Sequence, residues 1–181
     1  MKITALTGSV LGEIQHPREK LTPQSFSVTS SIVVYGAGGS DLCAGLVRNP
    51  NSQLIIDQTL YWAQIANEDE AFFLLGMLNS EQVNSAIGPF QASGLQTERH
   101  IHKLPFLFIP RFDPVDPNHA ALVAGTKALQ AEFDTRQPEI AGYLVPQKAL
   151  APRRRKVRDF VKLLSSYETY NDACEAVLQR V

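Results

Sequence analysis

Residues 60–87 read LYWAQIANEDEAFFLLGMLNSEQVNSAI, and the chain changes character inside them. Thr59 to Ala66, TLYWAQIA, is a strand candidate. Asn67 then stands as a helix N-cap, with Glu70 three residues on in the capping-box position. Three acidic residues follow it, where the helix dipole favours negative charge. The body, Ala71 to Leu78, is apolar on every side, which predicts a deeply buried helix. Ser80 can cap a second short helix, Glu81 to Ile87, which Gly88-Pro89 ends. Strand gives way to helix here, and the rest of the chain can be read outward from this boundary.

Upstream, SFSVTSSIVVYGAGGS (25–40) is rich in β-branched residues and stops at glycines, which predicts a strand and a turn. QLIID (53–57) is another strand candidate. Gly8, Gly12, Pro17 and Pro23 punctuate short β-prone pieces before them. Downstream, QASGLQTE (91–98) is a polar loop. Pro114, Pro117 and Asn118 predict a stiff turn and an N-cap for a helix over about 119–135, with Leu122, Leu129 and Phe133 near one face. Gln137-Pro138 and GYLVPQ (142–147) read as a connector. Pro152 suits a first helical position, and Val157, Phe160, Val161 and Leu164 recur at helical spacing. Arg155, Arg158 and Lys162 fall opposite that stripe. A last helix, about 169–180, has Ala173, Ala176, Val177 and Leu178 for its inner face. The expected class is α+β: a β-rich N-terminal half packed with a helical C-terminal half. Residues 1–150 form the expected domain, and 151–181 a helical tail packed on it.

The chain has 181 residues, 44% hydrophobic and 19% charged, which is enough for one well-formed core. No apolar run approaches the roughly 18 residues of a membrane span, and MKITALTGSV does not read as a signal peptide. Cys43 and Cys174 fit neither a disulfide framework nor a Cys-x-x-Cys motif, so a reducing, cytoplasmic setting is expected. Charge is unevenly spread. Residues 1–98 hold 4 basic and 9 acidic side chains, whereas residues 99–162 hold 12 and 6. A basic block of this size inside a near-neutral chain suits either a polyanion footprint or a solvated surface.

RHIHKLPFLFIPRFDPVDPNHAAL (99–122) poses the question of chemistry. His100 and His102 would point the same way from a strand, as two metal ligands should. His16, His119, the cysteines and the carboxylates have no ligand spacing to that pair, so hydrogen-bonded histidines are expected and no metal. Gly36, Gly38 and Gly39 follow an apolar strand, with Asp57 about 20 residues on, and so imitate a nucleotide or S-adenosylmethionine pocket. Gly45, Asn49 and Pro50 oppose the helix whose N-terminus would hold a phosphate there, so a glycine turn between strands is the competing reading. No nucleophile elbow or Cys–His arrangement occurs. Asp113 and Asp116 shape the turn at Pro114. The basic set comprises Arg99, Lys103, Arg111, Arg153, Arg154, Arg155, Lys156, Arg158 and Lys162. It suits phosphate contacts, and Gln96, Arg99 and His100 on a polar loop suit the reading of base edges.

Taken together, these segments resemble the C-terminal region of large N6-adenine DNA methyltransferases of restriction–modification systems. The resemblance is carried by Thr59-Leu60-Tyr61, Glu70-Ala71, Leu78-Asn79-Ser80, Arg99 with Ile101-His102-Lys103, Pro110 with Phe112-Asp113-Pro114, and His119. IVVYGAGG (32–39) and IID (55–57) also match, and the likeness covers about residues 28–135. It implies a target-recognition region that holds double-stranded DNA and selects its sequence. Joined to the basic run and polar loop read above, the expected DNA contacts are Gln96, Arg99, His100, His102, Lys103, Arg111, Arg154, Arg155, Arg158 and Lys162. The family's catalytic Asn/Asp-Pro-Pro-aromatic motif has only Asn49-Pro50-Asn51 here, so no catalytic residue and no cofactor are expected in this chain. S-adenosylmethionine belongs to the complete enzyme, and a methyltransferase catalytic domain or chain is the implied partner. Two other readings stand beside it: a small S-adenosylmethionine-binding methyltransferase using Tyr35–Ser40 and Asp57, and a protein-docking module.

Overall fold

The computed structural model describes residues 29–36, 42–48, 54, 56, 59–88, 108–146 and 149–179. They form a mixed α+β arrangement of three strands and six helices. The strands are β1 (Ser31–Gly36), β2 (Ala44–Arg48) and β3 (Leu60–Ile65). The helices are α1 (Glu68–Asn79), α2 (Glu81–Ile87), α3 (Pro117–Arg136), α4 (Pro138–Leu144), α5 (Leu150–Val161) and α6 (Tyr167–Leu178).

β1 is the central strand of a fully antiparallel sheet in the order β2-β1-β3. The register sets Val33 opposite both Leu46 and Ala63, and Tyr35 opposite Ala44 and Tyr61. Side chains alternate across a strand, so Val33, Tyr35, Tyr61, Ala63 and Ile65 share one face, and all are buried against α1. β2 was not expected as a strand. Gly45 opposes a helix there, and the strand lacks the continuous apolar pattern that would advertise it.

α1 has the cap the sequence predicts: the Asn67 side chain accepts from the N–H of Asp69 at 2.9 Å and of Glu70 at 3.4 Å. Its residues Ala71 to Leu78 are buried all round, because the sheet covers one side and α3 and α6 cover the other. The predicted second helix also stands at Glu81–Ile87, with Ser80 as its cap. Ser80 ends one helix and starts the next. Its N–H and hydroxyl donate to the Met77 carbonyl, and its hydroxyl accepts from the Val83 N–H.

Downstream, three expectations are corrected. The N-cap of α3 is Asp116, not Asn118; its carboxylate accepts from the Asn118 N–H at 2.8 Å, and Pro117 takes the first helical position. The connector is itself partly a helix, α4, started by Pro138. α5 begins at Leu150, so Pro152 lies inside its first turn. α6 turns Tyr170, Ala173, Cys174 and Val177 inward, while Ala176 and Leu178 are half-buried. α6 packs closely on α3. A Cβ at Gly125 would lie 3.2 Å from the Tyr170 Cα, so a larger residue would part the two helices. Among the described residues, no helix is long and apolar enough to cross a membrane.

Candidate nucleic-acid interface

The fourfold run Arg153-Arg154-Arg155-Lys156 falls in the first two turns of α5, a helix with sequence LAPRRRKVRDFV. Its N-cap, Ala149, makes no side-chain cap bond, and its first turn holds no acid. Cations near a helix N-terminus oppose the dipole, so a bound anion would stabilise this end of α5.

Two aromatic contacts and one carboxylate fix α5. Phe160 is buried edge-on to Phe133, ring centroids 6.2 Å apart, and carries the Arg136 guanidinium over its ring, 5.5 Å from the centroid. Just past α5, Glu132 of α3 accepts from the N–H groups of Ser165 and Ser166, both at 2.9 Å, and from their hydroxyls at 3.0 and 2.6 Å. These bonds, the Ser166 hydroxyl first, bring the Glu132 carboxyl down to about 2. They also supply the cap that α6 lacks from its own N-cap side chain.

With α5 held this way, its basic residues divide into two rows. Arg153, Arg155 and Lys156 are exposed, and the Lys156 ammonium rests 5.7 Å from the Tyr143 ring centroid. Arg154, Arg158 and Lys162, one turn apart, line a cleft of about 640 Å³ together with Val157 and Val161. Across the cleft stand Cys43, Glu81 and Ser85, over a floor of Leu75, Leu129 and Phe133. Lys162 forms an ion pair with Glu81 that joins α5 to α2. Of the expected contacts, Arg154, Arg155, Arg158 and Lys162 are therefore brought together on one helix and its end, but only Arg155 faces away from the cleft. Arg111 is exposed on the segment leading into α3. It lies near Glu70, whose carboxyl is raised by burial and lowered in part by that guanidinium. Gln96, Arg99, His100, His102 and Lys103 lie outside the described residues, as do Gly38–Ser40, Asp57 and Asn49–Asn51.

Several residues that carry the resemblance have structural work. The Asn79 amide accepts from the Ala44 N–H at 2.9 Å and donates to the Ala44 carbonyl at 3.1 Å, pairing with β2 as a neighbouring strand would. Asn84, which is not one of those motif residues, accepts from the Leu42 N–H at 2.7 Å. His119 is buried, with its ring 4.6 Å from that of Phe73, and is not part of any group of three or more possible metal ligands among the described residues.

The cofactor reading meets an unsuitable frame. A nucleotide-binding glycine loop follows a strand of a parallel sheet and opens a helix. Here β1 is antiparallel to both neighbours, and the next described element after it is β2. Tyr35 is buried 5.4 Å from Tyr61, ring to ring, and burial raises its hydroxyl far above the ordinary value. The frame of β1 thus differs from that of a dinucleotide-binding glycine loop, while Gly38–Ser40 and Asp57 lie outside the described residues. Comparison with protein-family models, curated proteins and solved structures returned no match.

Glu81, Glu132 and Asn79 escape a reading of local motifs. Their partners lie far along the chain, 33 and 34 residues for Glu132, and no short-range pattern encodes such pairs.

Proposed function

We propose that this chain is the DNA-binding sequence-specificity region of an N6-adenine DNA methyltransferase of a restriction–modification system, non-catalytic by itself. The order of the resembling segments supports the family. The observation that carries DNA binding is the basic N-terminal half of α5: exposed Arg153, Arg155 and Lys156, bordered by Arg154, on a helix end with no acid and no side-chain cap. Such a surface suits phosphates, which fix a protein on a duplex without reading it. Base reading falls to Gln96, Arg99 and His100, the polar-loop residues suited to base edges, with His102, Lys103, Arg111, Arg158 and Lys162 as further contacts. S-adenosylmethionine and the methyl transfer belong to a catalytic domain or partner chain.

Fluorescence anisotropy of a labelled duplex tests this, measured at about 50 and 200 mM salt because phosphate contacts release counterions. Affinity should fall steeply between them. Charge reversal of Arg153, Arg155 and Lys156 should weaken every duplex alike and flatten the logarithmic salt slope by about 3. Substitution of Gln96 or Arg99 should instead change sequence preference. Absence of binding at low salt, or an unchanged slope in the triple variant, would overturn the assignment.

A further inference from the structure

At one end of the cleft beneath α5 the polar groups serve one another. Lys162 pairs with Glu81, Glu81 also accepts from the Tyr167 hydroxyl, and the Arg158 guanidinium acts on that same hydroxyl. The other end belongs to Arg154, which is half-buried and lines the cleft, and whose guanidinium has no ion pair or hydrogen bond among the described residues. Arg153, Arg155 and Lys156 surround it in sequence, and the first turn of α5 holds no acid, so the local field favours an anion. Val157 and Val161 follow Arg154 at i+3 and i+7, which puts the three on one face of α5. Both valines are half-buried and line the cleft with Phe133, over buried Leu75 and Leu129. The result is a cation at the head of an apolar strip about 10 Å long, the complement of an amphiphile with an anionic head. The cleft volume, about 640 Å³, is within the roughly 300–1,000 Å³ range of small-molecule sites.

We propose that this cleft binds a free medium-chain aliphatic carboxylate, with its head on Arg154 and its chain along Val157 and Val161. One guanidinium fork matches one carboxylate in a bidentate pair, and walls of leucine and valine suit an aliphatic chain. The extended chain of octanoate fits the length of the strip. Arg158, Glu81 and Lys162 keep the partners they have. The inference goes beyond the duplex reading and does not rest on it, because that reading is carried by Arg153, Arg155 and Lys156 on the outer side of α5.

Two-dimensional NMR of the full chain, titrated with octanoate to about 10 mM, is the test, a range that reads millimolar affinity. Saturable shifts at Cys43, Ser85, Gln130 and Val157 are expected. Affinity should rise about fourfold for each methylene added from butanoate to octanoate, as burial of a CH₂ group does. Octanol and octylamine should each bind more weakly than octanoate. Arg154→Gln should weaken octanoate about tenfold, as loss of a charge-assisted hydrogen bond does, and leave octanol as it was, so that the preference for the carboxylate disappears. Arg155→Gln should leave octanoate binding unchanged while weakening duplex binding in the anisotropy assay, so the two readings fail separately. Absence of cleft shifts overturns the proposal, as does octylamine binding as well as octanoate, or affinity that does not depend on chain length. The comparison of head groups and chain lengths needs no variant, so it stands even if Arg154→Gln perturbs folding.

Discussion

The imidazole Nδ1 of His119 accepts the backbone N–H of Asp113 at 2.9 Å. Around this bond the turn satisfies itself: the Asp113 carboxylate accepts from the Val115 N–H at 3.0 Å, and the Asp116 carboxylate from the Asn118 N–H at 2.8 Å. The ring also packs against Phe73 and Phe112, at 4.6 and 6.1 Å, in a three-ring cluster whose two phenylalanines lie 5.3 Å apart. Because Nδ1 accepts, the neutral ring carries its proton on Nε2, which removes both nitrogens from ready metal ligation. FDPVDPNH is a hook that sets the start of α3.

His119→Phe keeps a ring beside Phe73 and Phe112 but removes the acceptor. The Asp113 N–H then loses its protein partner at a part-buried, solvent-accessible turn, and the net loss of one hydrogen bond costs about 0.5–1.5 kcal/mol. A urea titration should show a lower midpoint with an unchanged slope. A wild-type midpoint would mean that aromatic packing alone holds the turn.

The contact of α1 with α3 and α6 depends on Gly76. A Cβ there would strike the Thr126 hydroxyl and come within 3.2 Å of Leu122 Cδ1. The carbonyl of Gly76 accepts from the Tyr170 hydroxyl at 2.7 Å, which supplies a donor to the last turn of α1. Gly76→Ala should therefore destabilise by about 1–3 kcal/mol through overpacking. Thr126→Ala, which removes the struck hydroxyl, should recover part of that loss in the double variant, a non-additivity expected of residues in contact. Additive losses would show that Thr126 is not the obstacle.

Glu132 gives the molecule an acid-sensitive tie. Its carboxyl titrates at about 2 in the folded chain against an ordinary 4.5. A lowered folded value stabilises fully above the ordinary value and is lost as pH falls toward the folded one. The bond from α3 to the α5–α6 turn should thus weaken between about pH 4.5 and 2. Glu139, lowered by its hydrogen bond from Arg136, adds to the slope in the same direction. Glu132→Gln should be less stable than wild type at neutral pH, and the difference should shrink on acidification through this window. A constant difference would place the effect elsewhere than in the charge.

How much of this was legible follows from how local each cause is. Asn67 and Ser80 act on N–H groups two or three residues away, so both caps and the helices they start could be read directly. β2 could not, because its partners are β1 and the distant Asn79 amide, and five residues with Gly45 among them carry little period of their own. α4 was masked by Pro138 and Gly142, which read as breakers although proline suits a first helical position. For the candidate interface, the charge run showed which residues are cationic. Which of them face the cleft depends on how Phe133 and Glu132 seat α5, and that is tertiary information.

The two cysteines should behave as opposites. Cys43 is exposed and Cys174 is buried in α6, where burial pushes its thiol up to about 12. The thiolate is the reactive form. Ellman's reagent at pH 8 should therefore titrate one thiol in the native chain and a second only in denaturant. Cys43→Ser should abolish the native reaction. Fast reaction of both thiols would mean that α6 opens readily from α3.

Glu81 competes for a cation that the proposed interface would use. Its carboxylate pairs with Lys162, and its charge and hydrogen bond add to the burial that raises the Tyr167 hydroxyl to about 12. The Lys162 side chain is about two-fifths exposed, 41%, so a phosphate can approach it once the carboxylate is neutralised. Glu81→Gln should strengthen duplex binding at low salt and steepen the logarithmic salt slope by about 1, the signature of one added phosphate contact. Glu81→Gln combined with Lys162→Gln should return the slope to that of Lys162→Gln alone. If Glu81→Gln leaves both affinity and slope unchanged, Lys162 is a strut between α5 and α2, and the DNA surface is confined to the N-terminal half of α5.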